Sequence, residues 1–287
     1  MSPSMRSVSV RVLTAVVAVL FALQTLWFVS ALAAEGKTFR LTFSMPENTL
    51  LHYKAFKQIG QSYGGSDVSM NQTAKVDVTC DGKQDSTGAY KVDLNYTEVK
   101  TSLVANGRLQ EWEPPMKLEG STIRVTISTA GDIVAYAAAR PITGMSGPDD
   151  LRDLVDAWFV RLPDSAVAVG ESWNEPIVEG EREGGEPDAK GEVVYTLKKI
   201  EKKGAIDVAY IEGKINLKLH TDTPAGVLIG DGKGDVKARV ALVGGYIVEF
   251  KETMEIRGDV IAKDPITEKE TKMKTAVTRN YERELQQ

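Results

Sequence analysis

The stretch Leu151–Trp173, LRDLVDAWFVRLPDSAVAVGESW, decides how the rest of the chain is read. Leu151, Leu154, Val155, Trp158, Phe159 and Leu162 fall at i, i+3, i+4, i+7, i+8 and i+11, one apolar stripe of helical period. Gly147-Pro148 precedes the stripe, where a missing amide hydrogen is tolerated, and Asp149, Asp150 and Asp153 suit the positive end of a helix dipole. Pro163 stops it. The spacing predicts one amphipathic helix ending there, the clearest helix of the chain. Just beyond, Gly170-Glu171-Ser172 has the start of a nucleophile elbow, but Trp173 and Asn174 stand where the closing glycine belongs. A strand-entry turn is the preferred reading.

On both sides of this stretch the chain alternates like half-buried antiparallel strands. Phe39, Leu41 and Phe43 alternate first; an apolar piece follows from Leu50 to Phe56, then Ile59–Tyr63 and a Gly-Gly turn. Val76, Val78 and Cys80 share a face of a long strand. Tyr90, Val92, Leu94 and Tyr96 lie on even positions, after which Val99, Thr101 and Leu103 continue on odd ones. A one-residue slip of that kind demands a bulge or a bend. Downstream, Ile206, Val208 and Tyr210 give way to Ile215, Leu217 and Leu219 in the same manner. Asp231-Gly232-Lys233-Gly234-Asp235 reads as a hairpin loop, since a calcium loop wants more oxygen ligands and no central lysine. On the last strand Met273, Thr275, Val277 and Tyr281 share a face.

The two β-rich halves match each other. Tyr96, Glu98, Lys100 and Leu103 recur 114 positions on as Tyr210, Glu212, Lys214 and Leu217, and Gly120/Gly234, Gly131/Gly245 and Ile133/Ile247 keep the offset. With a further shift, Ile59-Gly60-Gln61-Ser62-Tyr63 matches Val169-Gly170-Glu171-Ser172-Trp173. A period of this kind indicates internal duplication; the competing explanation is two meanders with ordinary strand statistics. The expected fold is therefore mainly β: a curved antiparallel sheet or half-barrel from two duplicated β-meander halves, with one central amphipathic helix covering its concave face. The divisions are residues 1–34, 35–147 for the first repeat, 148–168 for the helix and joint, and 169–287 for the second repeat, packed as one domain.

Residues 1–34 have the layout of a secretory signal peptide: Arg6 and Arg11, an apolar run from Val12 to Val29, then Ala31-Leu32-Ala33-Ala34. The alternative is an uncleaved anchor, the only membrane attachment the sequence offers. The expectation is export to the periplasm or the extracellular space. Of the 35 Lys and Arg residues 33 follow the leader, against 40 Asp and Glu, net −7. That balance argues against nucleic acid and against adhesion to anionic lipid. Cys80, the single cysteine, reads as a small buried hydrophobe. His52 and His220 each stand alone, and the acidic run Glu181, Glu183, Glu186 and Asp188 reads as a solvated linker. No cofactor or metal motif occurs.

The run Leu162–Trp173, L-P-x-x-x-V-x-V-G-E-S-W, with Gly204-Ala205 and Gly244-Gly245-Tyr246 downstream, resembles a family of uncharacterised bacterial exported and lipoprotein domains over most of residues 50–260. The resemblance implies an envelope location and brings no activity or catalytic residues. The chain lacks the attachment cysteine of the lipoprotein members. As architecture, a curved sheet with a covering helix is similar to the lipoprotein-carrier fold of bacterial envelopes, a weak warrant for function.

The expectation is a non-enzymatic exported protein binding a lipid or other apolar or amphipathic ligand on a concave sheet, with Tyr96, Tyr210, Trp158 and Phe159 as candidate lining residues. The same four serve equally as core. The rival is a structural or protein-interaction module without a cavity, using strand edges to meet an envelope partner. A hydrolase working through acidic residues comes third.

Overall fold

The computed structural model describes residues 36–83, 88–145, 147–180, 187–223, 226–263 and 270–286. The leader and the acidic residues Glu181, Glu183 and Glu186 lie outside them. Arg40–Gln287 form one compact unit, separate from Met1–Phe39, and the account below concerns that unit.

Its strands are β1 (Thr49–Tyr63), β2 (Ser66–Lys83), β3 (Tyr90–Ala105), β4 (Arg108–Gln110), β5 (Thr122–Ile127) and β6 (Ile133–Ala138) in the first half. The second half contributes β7 (Ser172–Glu179), β8 (Ala189–Lys203), β9 (Ile206–Thr223), β10 (Gly226–Ala241), β11 (Ile247–Lys263) and β12 (Glu270–Leu285). All twelve belong to one sheet, ordered β6-β5-β3-β2-β1-β12-β11-β10-β9-β8-β7, with β4 paired to β3. Each half is a meander, and both run the same way across the sheet. The first and last strands meet in the middle, Tyr53 opposite Leu285 and Tyr63 opposite Thr275. The outer edges are β6 and β7, so the sheet is curved but not closed, and the segment from 139 to 171 carries the chain from one edge to the other.

The expected slip after Tyr96 is a bulge: Lys75 pairs Glu98 while Val76 pairs Tyr96, leaving Thr97 extra. The second expected slip has a different cause. β9 itself pairs with β10 without interruption. The bulge lies on β8, at Lys198 between Leu197 and Lys199. Ala209, Ile211, Ile215 and Leu217 face the interior, whereas Val208 is buried on the other side with Ala241 and Val248, against Ile206 and Tyr246. A small second cluster on the outer face therefore mimicked a change of phase.

Two further expectations are corrected. Asp231–Asp235 is not a hairpin loop but the middle of β10. Gly230, Gly232 and Gly234 alternate on its inner face, where a Cβ on Gly234 would stand 2.5 Å from the Thr253 carbonyl oxygen and one on Gly230 2.6 Å from that of Arg257. They permit a tight curl of the sheet. The Ile59–Tyr63 match fails as a shared entry turn: those residues end β1 and lead into a hairpin, while Ser172 opens an edge strand.

The interior is filled from three sources. Inner-face side chains such as Val76, Val92, Leu94, Ile123, Leu197 and Ile211 are wholly enclosed. Leu41 and Phe43 are buried as their alternation predicts, and Met45 with them, but as a threaded segment rather than a strand of the sheet. The Phe43 N–H donates to the Thr129 carbonyl at 2.8 Å and the Ser44 N–H to that of Gly244 at 3.1 Å, joining a turn of each half. The helical segment is the third source. It is shorter than the stripe: α1 covers Pro148–Val155, a 3₁₀ turn covers Asp156–Trp158, and Phe159 is extended. The Leu162 N–H then bonds the Ala130 carbonyl at 2.7 Å, so a turn of the sheet, not Pro163, straightens the chain. Leu151, Leu154, Val155, Trp158 and Leu162 are buried nonetheless. None of the helices among the described residues is long and apolar enough to cross a membrane.

Candidate functional site

Side chains of the four sequence candidates go to three places. Trp158 and Tyr96 are buried together: the indole Nε1–H donates to the Tyr96 hydroxyl at 3.2 Å, and Tyr53 packs edge-on against the Trp158 ring at 5.5 Å. The apolar cavity beside them measures only about 30 Å³. Burial pushes the Tyr96 hydroxyl up to about 12. Phe159, half-buried, meets Phe43 edge-on at 6.2 Å. Tyr210 stands apart on the outer face, where Arg239 lies 5.0 Å and Lys199 5.4 Å from its ring centre. Its hydroxyl donates to Glu212 at 3.0 Å. Arg239 also bonds Glu201 at 2.8 Å and Glu249 at 3.0 Å, so Tyr210 belongs to a surface ion network.

On the inner side a cleft of about 460 Å³ lies between the helical segment and the second half of the sheet. Val193, Tyr195, Ile215 and Phe250 form part of its floor from the inner-facing positions of their strands, alongside Glu252 and Arg279. Phe159, Arg152 and Arg161 form the roof. Ile133 and Tyr136 of one edge strand and Ile177 of the other flank it, so the cleft lies where the sheet fails to close. The Trp173 ring stacks on Tyr195 at 5.7 Å and its Nε1–H donates to the Arg161 carbonyl at 2.8 Å. The first contact ties the opening of β7 to β8 and the second ties it to the connecting segment.

Charges around the cleft are paired. Arg279 bonds Glu252 at 2.8 and 3.0 Å, Arg152 bonds Asp156 at 3.2 Å, and Arg161 lies 3.5 Å from Asp132. Glu175 is the exception. It accepts the Tyr195 hydroxyl at 2.9 Å, and burial raises its carboxyl above the ordinary 4.5, more than Tyr195 and Arg161 lower it. The folded state thus holds a proton on Glu175 that the unfolded state has released. Stability from this group is fully present below about 4.5 and declines as pH rises through the folded value. Glu175→Gln is expected to flatten that decline and to raise the melting temperature at pH 7 while leaving it little changed at pH 4. A decline of the same steepness in the variant would assign it elsewhere, for instance to Asp156, whose carboxyl burial also raises.

The remaining candidates are local structure. Ser172 shares a hydrogen bond of 2.8 Å with Thr196, and Glu171 accepts the Ala168 N–H at 2.6 Å, fixing the turn at Gly170. His52 bonds Asp77 at 2.7 Å on the outer face. Cys80 is buried, its thiol pushed up by burial and 3.8 Å from the Met45 carbonyl. Among the described residues no cluster of His, Cys, Asp and Glu is placed to hold a metal.

One residue escaped the sequence reading. Arg283 is buried, and its guanidinium carbon lies 4.3 Å from the Phe250 ring centre and 4.9 Å from that of Trp158. None of its three nitrogens has a hydrogen-bond partner among the described residues. The signal was available: Arg279 and Arg283 fall in the odd register of Met273, Thr275, Val277 and Tyr281.

Neither a protein-family profile nor a curated protein matches the chain. Among solved structures, the chain is similar to lipovitellin, in a structure reported under lipid–protein interactions in lipovitellin, with a TM-score of 0.53 and 9% identity. The alignment covers 85% of this chain and 25% of that one, so the chain spans about a quarter of its neighbour's length. At that identity the likeness is one of fold: a large, open antiparallel β-sheet.

Proposed function

We propose that the protein binds an apolar or amphipathic ligand in the cleft between the helical segment and the second half of the sheet, without catalysing a reaction on it. The carrying observation is the cleft itself, about 460 Å³, where Val193, Ile215 and Phe250 lie beside the paired charges Glu252 and Arg279 under a roof bearing Arg152 and Arg161. That volume lies within the ~300–1,000 Å³ of small-molecule sites. The mixture of apolar and charged lining suits an amphipathic chain with a polar head. The likeness to lipovitellin, reported for its lipid–protein interactions, supports the same reading. The signal-peptide layout of residues 1–34 supports a site of action outside the cytoplasm.

A direct measurement is organic extraction of the full chain, expressed with its own leader, followed by mass spectrometry. Co-purifying lipid and uptake of an apolar fluorescent probe are expected. Ile177→Trp, which fills the mouth of the cleft, should weaken probe binding at least tenfold, roughly the worth of 1.4 kcal/mol. An extract without lipid, together with no probe uptake, would overturn the proposal.

A second reading rests on a different observation. The edge strands β6 and β7 each expose a valine, Val134 at 63% and Val178 at 57%, beside unpaired backbone groups that another chain could extend. Pro176 limits that on β7. A polypeptide co-purifying at fixed stoichiometry, and lost on a lysine substitution of Val134, would favour this interaction module.

A further inference from the structure

Arg283 carries a buried charge without a hydrogen-bond partner among the described residues. It sits in the column Arg279, Tyr281, Arg283 on the inner face of β12. Two aromatic rings sandwich its guanidinium, which offsets part of the cost of burial. Cation–π contact does not occupy the in-plane N–H donors, and all three nitrogens are without partners among the described residues. Buried charges of this kind are paired or bind an ion. Glu252, the carboxylate whose field acts on Arg283, is engaged by Arg279.

Arg283 also lines a small, half-open hollow of about 40 Å³, together with Lys57, Gln72, Tyr96, Trp158 and Tyr281. The Lys57 ammonium lies 5.2 Å from the Tyr281 ring centre, and burial lowers its pKa from the ordinary value, despite the opposing field of Asp153. The Tyr96 hydroxyl accepts the Trp158 N–H, which leaves its own proton to donate. Two cations, a hydroxyl proton and an amide against one carboxylate, Asp153, make a wall in excess of positive charge and donors. A cavity of this size holds more than the ~10–15 Å³ of one water molecule but not a lipid tail.

We infer that the cavity bounded by Arg283, Lys57 and Tyr96 is a site for one small monovalent anion of carboxylate size, free in solution or carried as the head of an amphiphile. The site is separate from the proposed cleft: no residue lines both. Lys57 and Tyr96 would contact the anion first, and a rotation of the buried Arg283 guanidinium between its two rings would bring its N–H donors to it.

The test is the melting temperature of the full chain at constant ionic strength, with acetate replacing a sulfonate buffer too bulky for the cavity. Acetate at about a hundred times its dissociation constant is expected to raise the midpoint by roughly 5 °C or more. In Arg283→Met the rise should vanish, while the midpoint without acetate stays level or increases, because an unpaired buried charge has gone. Should that variant not fold, Lys57→Met keeps the ring sandwich and should weaken acetate at least tenfold. Decanoate acting at concentrations at least tenfold below acetate would identify the head of an amphiphile; equal potency would identify a free anion. Loss of the decanoate response in Arg283→Met with its retention in Ile177→Trp separates this site from the cleft. A wild-type midpoint indifferent to both anions would overturn the inference and leave Arg283 a purely structural cation.

Discussion

Replacing Trp158 by alanine is expected to cost about 5 kcal/mol of unfolding free energy, the largest loss from any single inner side chain. Truncating a buried Trp or Phe typically costs ~3–5 kcal/mol in transfer and cavity terms. Trp158 adds the hydrogen bond to Tyr96, the edge contact with Tyr53 and one of the two rings over Arg283. Its removal would merge the neighbouring cavities of about 30 and 40 Å³ and leave the guanidinium covered on one side only. For a domain of this size the midpoint should fall by roughly 10–20 °C. Trp158→Phe keeps a ring for Arg283 and Tyr53 but loses the indole N–H, and should cost only about 1–2 kcal/mol. Urea unfolding of both variants measures the difference. A Trp158→Ala loss under about 2 kcal/mol would mean that the helical segment covers the sheet without being anchored to it.

The second large effect runs against residue propensity. Valine is favoured over glycine in strands, by up to ~1 kcal/mol in host proteins, so Gly234→Val would look stabilising. Its Cβ would stand 2.5 Å from the Thr253 carbonyl oxygen, 3.1 Å from the Met254 Cα and 3.2 Å from Ile215. Two of those neighbours are backbone atoms of the adjoining strand and can give way only if the sheet flattens. A loss of about 3 kcal/mol is expected, at the upper end of overpacking costs. Lys233→Val, one position along on the outer face, should fall within about 0.5 kcal/mol of the parent. Equal and small effects at both positions would restore the hairpin-loop reading of Asp231–Asp235 and remove the glycine stripe as the source of curvature.

Those residues also mark what the sequence could and could not reveal. Alternation located the strands because each inner face is apolar and each outer face wet; the slip after Tyr96 located the Thr97 bulge for the same reason. It misled at Tyr210, where a local cluster buries Val208 on the outer face and periodicity registers burial without its direction. Glycines at every second position read as loop chemistry because curvature is a property of neighbouring strands, absent from a local window. The helix stripe was correct in its buried residues and too long in its helix, since the bond from Leu162 to Ala130 is tertiary. Of the cleft, Phe159 was legible as an apolar residue near the joint. Glu175, Val193 and Phe250 were not, because they meet only once the sheet curls. Arg283 was overlooked because a charged residue in a strand is ordinarily assigned to the wet face.

The pairing of β1 with β12 has a consequence for how the sheet is made. Residues more than 200 positions apart, Tyr63 and Thr275 among them, are partners at its centre rather than its rim. Each meander can zip up hairpin by hairpin, but the seam joining them waits for the C-terminal strand. Such remote closure places the molecule among high-contact-order, slow-folding topologies, whose rates fall in the millisecond-to-second range or below (~1–10³ s⁻¹). Until the seam closes, two half-sheets each carry an open inner edge, the state in which a β-protein is most exposed to aggregation. The strand β12 therefore acts as the lock of the sheet, since neither half is covered at its inner edge until β12 pairs with β1.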